Sequence, residues 1–248
     1  MSHIKRVAII GGNRIPFMRS NTAYSTASNM DMLSATLQGL VQRFGLEGER
    51  LGEVAAGAVM KHSRDFNLAR EATLNSGLAL ETPAYDVQQA CGTGLEAAIL
   101  VANKIALGQI DAGIAAGTDT ASDAPIALNE KYRRMILDLN KAKTLGERLK
   151  IVLRFRPGFV LPPLPANAEP RTGLSMGQHC ELMVKQWGIS REEQDQLTWN
   201  SHQNLLAAYN EGFFENLLSP FNGVERDGIM RDTPMEKLAR LKPAFDRE

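Results

Sequence analysis

The fold class is decided by residues 84–116, AYDVQQACGTGLEAAILVANKIALGQIDAGIAA. Two short apolar runs, at 84–87 and 112–116, enclose a longer apolar segment at 94–107 that is followed by Gly108. Runs of these lengths in this order predict a strand, a helix and a second strand, which is the βαβ unit of a parallel sheet. Because residues 94–107 are apolar almost all round, we expect their helix to be buried on most of its faces.

The same alternation continues towards the N-terminus and predicts an α/β domain over residues 1–122. The first helix of this region has Leu33 and Leu37 at the spacing of one helical face. Either Ser28 or Asn29 is suited to accept its first backbone N–H bonds. Repeated strand–helix units produce a mainly parallel sheet covered by helices. The other elements predicted here are strands at 6–10 and 53–60 and a helix at 68–78.

Residues 123–240 have a different pattern and predict a mostly helical insertion, after which residues 241–248 begin a return to the first domain. Five prolines between 157 and 170 forbid a continuous helix in that stretch. A helix is predicted at 178–187. The sequence SREE at 190–193 is a capping box that predicts the start of a longer helix.

A basic stretch opens this insertion. Residues 131–156 contain nine Lys or Arg residues and two acidic residues, with Leu and Ile between them. A charge run of this kind is typical of a solvated helical face. A basic amphipathic segment also suits a docking arm or contact with an anionic membrane surface. The sequence leaves both interpretations open.

The composition excludes several classes of protein. The 28 basic residues balance the 28 acidic residues, and this absence of a basic surplus argues against a nucleic-acid binder. The start, MSHIKRVAII, has no secretory signal pattern, and no run of about 18 apolar residues predicts a membrane-spanning helix. Two cysteines are too few for a disulfide framework or a four-thiolate zinc site. We therefore expect a soluble cytoplasmic protein without a bound metal.

Cys91 is the candidate nucleophile. It stands at a predicted strand-to-helix turn between residues that include Gly92 and Gly94, where the free N–H groups and the dipole of the following helix favour a thiolate. The alternative is that Cys91 simply packs, as free cysteines commonly do. Cys180, in the middle of a predicted helix, is expected to be a small core residue. The histidines show no arrangement that demands a Cys–His pair, so the active site is incomplete from the residues alone.

Four stretches spread over the chain carry a resemblance: RVAIIGGNRIPF (6–17), VQQACGTGLEAAILVANKIAL (87–107), SMGQHCELM (175–183) and RDTPMEKLARLKPAFDRE (231–248). They resemble, in this order, the thiolase family of acyl-CoA acetyltransferases and acyltransferases. The stretch LNKAKTLGERLKIVLRFRPGFVLPPLP (139–165) is similar to the insertion of the β subunit of trifunctional fatty-acid-oxidation complexes. The resemblance implies a thiolase-like half, with an insertion that serves as a loop domain for CoA binding.

The resemblance also implies a mechanism. The thiolate of Cys91 would attack a 3-ketoacyl-CoA, release acetyl-CoA and hold the shortened acyl chain as a thioester until free CoA removes it; the reverse reaction is a Claisen condensation. By motif position, Met176 would line the pantetheine channel, and Arg231, Leu241 and Phe245 would surround the adenine. Core packing is the alternative for Leu241 and Phe245. CoA and acyl-CoA would be substrates, with no permanently bound cofactor.

The sequence also departs from the family pattern. Gln88 stands where Asn is common, Thr93 where Ser is usual, and Ser175 where many biosynthetic members have His. The family's Gly-His-Pro and Cys-x-Gly motifs and its Asn-Glu motif are missing, and the first half lacks its final strand and helix. We therefore expect the chain as given to be a truncated, inactive portion of a thiolase. The alternative is a non-catalytic binding or assembly subunit.

The resemblance implies that the protein forms a homodimer or tetramer. It also allows the protein to be a subunit of a multifunctional β-oxidation complex.

Overall fold

The chain forms two compact units in a computed structural model that describes residues 4–163 and 167–246. Among these residues, the first unit contains the chain up to Pro125 together with Asn200–Asp232, and the second contains Ile126–Trp199 and the residues from Thr233 onward. Residues 164–166 of the proline-rich stretch and residues 247–248 of the expected return lie outside the described residues. Asn200–Asp232 therefore belongs to the first unit, although its sequence follows on from the insertion.

A parallel three-stranded sheet forms the centre of the first unit. Its strands are β1 (Glu53–Ala56), β2 (Ala84–Asp86) and β3 (Gly113–Ala115), in the order β2-β1-β3. Val54 is aligned with Ala84 on one side and with Ile114 on the other. The predicted strands at 53–60, 84–87 and 112–116 are confirmed, each in a shorter form. The α/β class with a parallel sheet flanked by helices is confirmed as well.

Three helices cover the two faces of this sheet: α1 (Asn29–Phe44), α2 (Leu68–Leu74) and α3 (Thr93–Ala106). Alternate residues of a strand point to opposite faces. Accordingly, Val54 packs in a buried cluster with Leu37 of α1 and Leu68 of α2, whereas the next residue, Ala55, packs with Ala97 of α3.

The start of α1 is set by local hydrogen bonds. The Ser28 side chain accepts the backbone N–H of Asp31, while the Asp31 carboxylate accepts the backbone N–H of Ser28. This reciprocal pair satisfies N–H groups that have no acceptor inside the helix. Ser28 is therefore the N-cap, and the predicted helix is confirmed.

Two expectations for the first unit are wrong. Residues 6–10 form no strand, because no strand lies beside them among the described residues, and Ile9 remains 95% exposed. The α3 helix is not buried on most of its faces, since only Thr93, Ala97 and Val101 are buried along its length. One side of α3 packs against the sheet, and Leu95 on the other side is largely exposed.

The second unit is helical, as the sequence predicts for the insertion. The predicted helix at 178–187 and the capped helix that starts after Ser190 are both confirmed, and the capping box is present between Ser190 and Glu193. No helix in the described part of the chain is long and apolar enough to cross a membrane. The helices are α4 (Glu130–Lys141), α5 (Leu145–Val152), α6 (Met176–Trp187), α7 (Arg191–Asn210), which continues into the first unit, and α8 (Met235–Ala239), with a 3-10 turn at Pro157–Val160.

Candidate active site

Cys91 lies in the turn that joins β2 to α3, at the carboxyl end of the parallel sheet. Its side chain is exposed, so packing does not explain this cysteine. Ligands of open α/β sheets commonly bind outside the carboxyl ends of the strands. The place that the sequence predicts for a nucleophile is therefore one that a substrate can reach.

The turn around Cys91 is held by the hydroxyl of Thr93. This hydroxyl donates a hydrogen bond to the carbonyl oxygen of Ala90 at 2.7 Å and accepts one from the N–H of Gln89 at 2.9 Å. Ala90 has φ = +45°, a left-handed conformation that is uncommon for a residue with a Cβ atom. Since serine and threonine both carry the hydroxyl, the departure from Ser at position 93 preserves this bracing.

The N-terminus of α3 lies directly after Cys91. The N–H groups of Gly92 and Thr93 bond to carbonyl oxygens of the turn itself, at 2.9 and 3.2 Å. Within the described residues, the N–H groups of Gly94 and Leu95 have no acceptor. Unpaired N–H groups and the positive end of a helix dipole favour negative charge nearby. This environment suits a thiolate, and also the oxyanion that forms when a thiolate attacks a carbonyl group.

A glycine beneath this turn was missed by the sequence analysis. Gly57 directly follows β1, and a Cβ atom at this position would lie 1.9 Å from the carbonyl oxygen of Val87 and 2.8 Å from Cγ2 of Thr93. Glycine therefore lets the end of β1 approach the turn closely. The signal in the sequence is a glycine that ends an apolar strand run, but its contact partner is 30 residues away along the chain.

Carboxylates hold the loop after β1 in place, and these too were missed. Asp119 accepts the N–H groups of Val59 and Met60 at 2.8 and 3.0 Å. Asp86, the last residue of β2, accepts the Ala69 N–H at 2.7 Å and pairs with the Lys61 ammonium at 2.6 Å. Acidic residues that follow strands were the available signal, and their role here is to fix backbone next to the carboxyl edge.

The described part of the chain gives the Cys91 sulfur no hydrogen-bonded base. His62 contacts the carboxylate and carbonyl oxygens of Asp123, at 3.2 and 3.0 Å, and no described histidine hydrogen-bonds the Cys91 sulfur. The described residues also contain no cluster of His, Cys, Asp and Glu that could hold a metal ion. The geometry thus positions a nucleophile without a general base at its side.

Three of the predicted CoA-contact residues lie in the second unit, and all three are more than half exposed: Met176, Leu241 and Phe245. Core packing, the alternative interpretation of Leu241 and Phe245, does not account for such exposure. The Phe245 ring lies against the second residue of α6, Gly177, where a Cβ atom would lie 2.2 Å from the ring. The structure thus places Phe245 against Gly177, the residue that follows Met176, while the carbonyl oxygen of Leu241 accepts a hydrogen bond from the Arg191 guanidinium at 3.1 Å.

The remaining predicted contact, Arg231, is exposed and belongs to the first unit. Cys180 contradicts its prediction: it is exposed rather than part of a core. The reason is that α6 has no buried residues, so a position in the middle of this helix does not place a side chain inside.

The comparisons with known proteins agree with one another. The Thiolase, N-terminal domain family matches residues 7–248. A 3-ketoacyl-CoA thiolase of Yersinia enterocolitica is 37% identical over 98% of this chain and 57% of its own length, and one of Pectobacterium carotovorum is 36% identical over the same shares. The crystal structure of a Bacillus anthracis acetyl-CoA acetyltransferase has a TM-score of 0.81 and 26% identity, over all of this chain and 61% of that one.

The chain spans little more than half the length of these relatives, and what it spans includes both the α/β unit with Cys91 and the helical unit with Met176 and Phe245. The family match begins in the first described segment and runs through both units. From the strand–turn–helix geometry around Cys91 and these matches, we conclude that the chain belongs to the thiolase family.

Proposed function

We propose that the protein acts as an acyl-CoA:acetyl-CoA acyltransferase, which cleaves a 3-ketoacyl-CoA with CoA or runs the reverse Claisen condensation. The observation that carries the proposal is the exposed Cys91 at the N-terminus of α3, with the N–H groups of Gly94 and Leu95 unpaired within the described residues. The two bacterial relatives described above bear the name 3-ketoacyl-CoA thiolase, which supports the same reaction.

The reaction divides into two transfers at the Cys91 sulfur. In the first, the thiolate attacks the 3-keto carbon, the bond between carbons 2 and 3 breaks, and the leaving carbanion takes a proton to become acetyl-CoA. In the second, the thiol of free CoA gives up a proton and attacks the acyl-thioester, which restores the Cys91 thiolate and yields the shortened acyl-CoA. Covalent catalysis of this kind replaces one difficult step with two easier ones.

The proton transfers need groups beyond those beside Cys91. The thiolase resemblance places a histidine of a Gly-His-Pro motif and a second cysteine of a Cys-x-Gly motif in a second half, and neither motif occurs in these 248 residues. Losing an acid–base group or an oxyanion donor costs about 10²–10⁴-fold in rate for each such group. We therefore propose that these residues alone turn over little or no substrate.

The role we propose for the helical unit is to hold CoA. The exposure of Met176, Leu241 and Phe245 supports this role, because large apolar side chains left in water are available to a ligand. A guanidinium group such as that of Arg231 can stack on an aromatic base. For the whole protein we propose a cytoplasmic dimer or tetramer that serves fatty-acid β-oxidation, either by itself or as a subunit of a multifunctional complex.

A second candidate function is that of a non-catalytic binding or assembly subunit. It is favoured by the apolar side chains that the first unit leaves exposed on α3 and near the N-terminus, namely Leu95, Ile99, Ile9 and Ile10. Apolar exposure of this kind commonly marks a surface that another protein covers. The two candidates differ in whether Cys91 carries an acyl group.

The test is intact-mass analysis, after incubation with acetoacetyl-CoA, of a longer form that contains the Gly-His-Pro and Cys-x-Gly motifs. We expect a single acyl adduct in the wild type, its loss in Cys91→Ser and its retention in Cys180→Ser. The second variant is a matched control because Cys180 is also exposed. In parallel, thiolysis by the 248-residue chain should be at least about 10²-fold slower than by a longer form that contains the Gly-His-Pro and Cys-x-Gly motifs.

The possible outcomes separate the alternatives. An adduct that survives Cys91→Ser but disappears in Cys180→Ser would assign the nucleophile to Cys180. Absence of an adduct in the longer form would favour the assembly subunit. Turnover by the 248-residue chain at the rate of the longer form would show that the proposed dependence on further residues is wrong.

A further inference from the structure

Gln89, two residues before Cys91, combines a fixed backbone with a free side chain. Its N–H donates to the Thr93 hydroxyl at 2.9 Å, and its carbonyl oxygen accepts the N–H of Gly92, also at 2.9 Å. The carboxamide, by contrast, has no hydrogen-bond partner in the described part of the chain, and the residue is exposed. Gln89 therefore presents an unpaired polar group from a well-held position in the turn.

The side chain of Gln89 lies against the glycine that follows the nucleophile. Its Cδ and Cγ atoms lie 3.9 and 4.0 Å from the point where a Cβ atom of Gly92 would stand. Gly92 is the N-cap of α3 and is bonded directly to Cys91, so the carboxamide lies beside the helix end at which a thiolate would form. The N–H groups of Gly94 and Leu95, unpaired within the described residues, belong to the same helix end.

The proposed acyl transfer creates negative charge at this place. When the Cys91 thiolate attacks a carbonyl carbon, an electron pair moves onto the carbonyl oxygen, and hydrogen-bond donors stabilise the oxyanion that results. Glutamine side chains serve as such donors, and each carboxamide has two N–H bonds to offer. A donor that is already in place is the most effective, because it costs no reorganisation during the reaction.

We propose that Gln89 is a further catalytic residue, whose carboxamide N–H donates a hydrogen bond to the oxyanion formed at Cys91. The inference rests on the proposed function, since it assigns Gln89 to the reaction at the same sulfur. Gln88 provides the contrast. It is also exposed, but the three atoms nearest to a Cβ of Gly92 all belong to Gln89.

The experiment compares two reactions of Cys91 in the 248-residue chain that carries Cys180→Ser. With p-nitrophenyl acetate, the sulfur attacks the ester carbonyl carbon, an oxyanion forms, and p-nitrophenolate leaves with the electron pair of the broken C–O bond. No proton transfer is needed, so the reaction does not require the Gly-His-Pro and Cys-x-Gly motifs. Iodoacetamide alkylates the same sulfur by displacing iodide and forms no oxyanion. Peptide mapping by mass spectrometry measures both products at Cys91.

The informative variant is Gln89→Met, because methionine has nearly the length of glutamine but no N–H bonds. Loss of one oxyanion donor costs about 10²–10³-fold in a water-excluded site, and we expect acetylation to slow by about 10–100-fold at this exposed one. Alkylation should keep its wild-type rate and pH profile. The matched control, Gln88→Met, should change neither reaction. Gln89→Asn, which keeps the N–H bonds on a side chain one methylene shorter, should slow acetylation less than Gln89→Met.

The ratio of the two rates decides the matter. A purely structural role of Gln89 would slow alkylation as much as acetylation, and that result overturns the proposal. Unchanged acetylation in Gln89→Met overturns it as well, as does equal slowing by Gln88→Met or the absence of acetylation at Cys91 in the wild type. Failure of the proposed function is a separate result, because it is judged by the acyl adduct that the longer form makes from acetoacetyl-CoA.

Discussion

The ion pair between Arg14 and Asp227 should make a large contribution to the stability of the first unit. The guanidinium donates two hydrogen bonds to the carboxylate, at 2.7 and 2.8 Å, and the backbone N–H of Phe17 donates a third at 2.6 Å. The Asp227 side chain is 1% exposed. These bonds tie the N-terminal segment to residues 200–232, which carry Arg231.

We expect Asp227→Asn to lower the free energy of unfolding by about 3 kcal/mol. Breaking a buried ion pair by removing one charge costs about 3–5 kcal/mol, and the lower end applies because the Arg14 side chain keeps some access to water. The control is Asp111→Asn, which removes the same charge from a residue that is 97% exposed and pairs with Lys5 at 3.5 Å. A surface pair of this kind contributes about 0–1 kcal/mol.

The stability lost in Asp227→Asn should become smaller as the pH falls. Burial opposes the charge on Asp227, but the hydrogen bonds from Arg14 and Phe17 outweigh it, so its pKa lies below the ordinary value of 3.8. A lowered pKa stabilises the folded state above the pKa of the unfolded chain, and this stabilisation is lost as the pH falls through the folded-state pKa. The difference in stability between wild type and Asp227→Asn should therefore be full at neutral pH and shrink below about pH 4.

The assay is urea denaturation at several pH values, followed by circular dichroism, with hydrogen exchange measured over residues 13–17 and 217–228. Asp227→Asn should speed exchange in both segments at neutral pH. If Asp227→Asn and Asp111→Asn lose the same stability, or if the difference from wild type stays constant down to pH 3, the ion pair does not have the role assigned to it here.

Two further substitutions test the packing around the site and in the core. Gly57→Ala should destabilise the first unit by about 1–3 kcal/mol and slow acylation of Cys91, because the new Cβ meets the Val87 carbonyl oxygen at 1.9 Å. Thermal melts and adduct formation measure this, with Gly146→Ala, where a Cβ also has open space, as the control. Leu37→Ala should lower the free energy of unfolding, measured by urea denaturation, by about 2–5 kcal/mol, since this side chain is fully buried between helix and sheet. A loss under about 1 kcal/mol, as expected for an exposed residue, would contradict that packing.

Local features of this protein were predictable from its sequence. The capping box at Ser190 and Glu193 and the N-cap at Ser28 depend on residues three apart, so a short pattern specifies them. The strands around Cys91 were predictable from periodicity for the same reason. Their lengths were overestimated, because the extent of a strand depends on how many residues of its neighbours remain in register.

Exposure was less predictable, because it depends on what packs opposite. The apolar composition of α3 predicts burial, yet only the side with Ala97 and Val101 meets the sheet. The segment at 6–10 has a strand-like composition without a strand beside it, and Cys180 lies within a helix that has no buried residue. In each case the residue type describes a preference for burial, and the presence of a covering surface decides the outcome.

The sequence by itself determined the α/β class, the family and the position of Cys91 at a strand-to-helix turn, since these follow from periodicity and from ordered motifs. The tertiary structure alone decided that Gly57 supports that turn from 30 residues away, that Asp227 holds Arg14 from 213 residues away, and that Leu145 and Leu149 of α5 are exposed. The physical reason is how far apart along the chain the interacting residues lie. Helix caps and turns are built from hydrogen bonds between near neighbours, whereas close contacts, buried ion pairs and exposed faces arise only when distant segments meet.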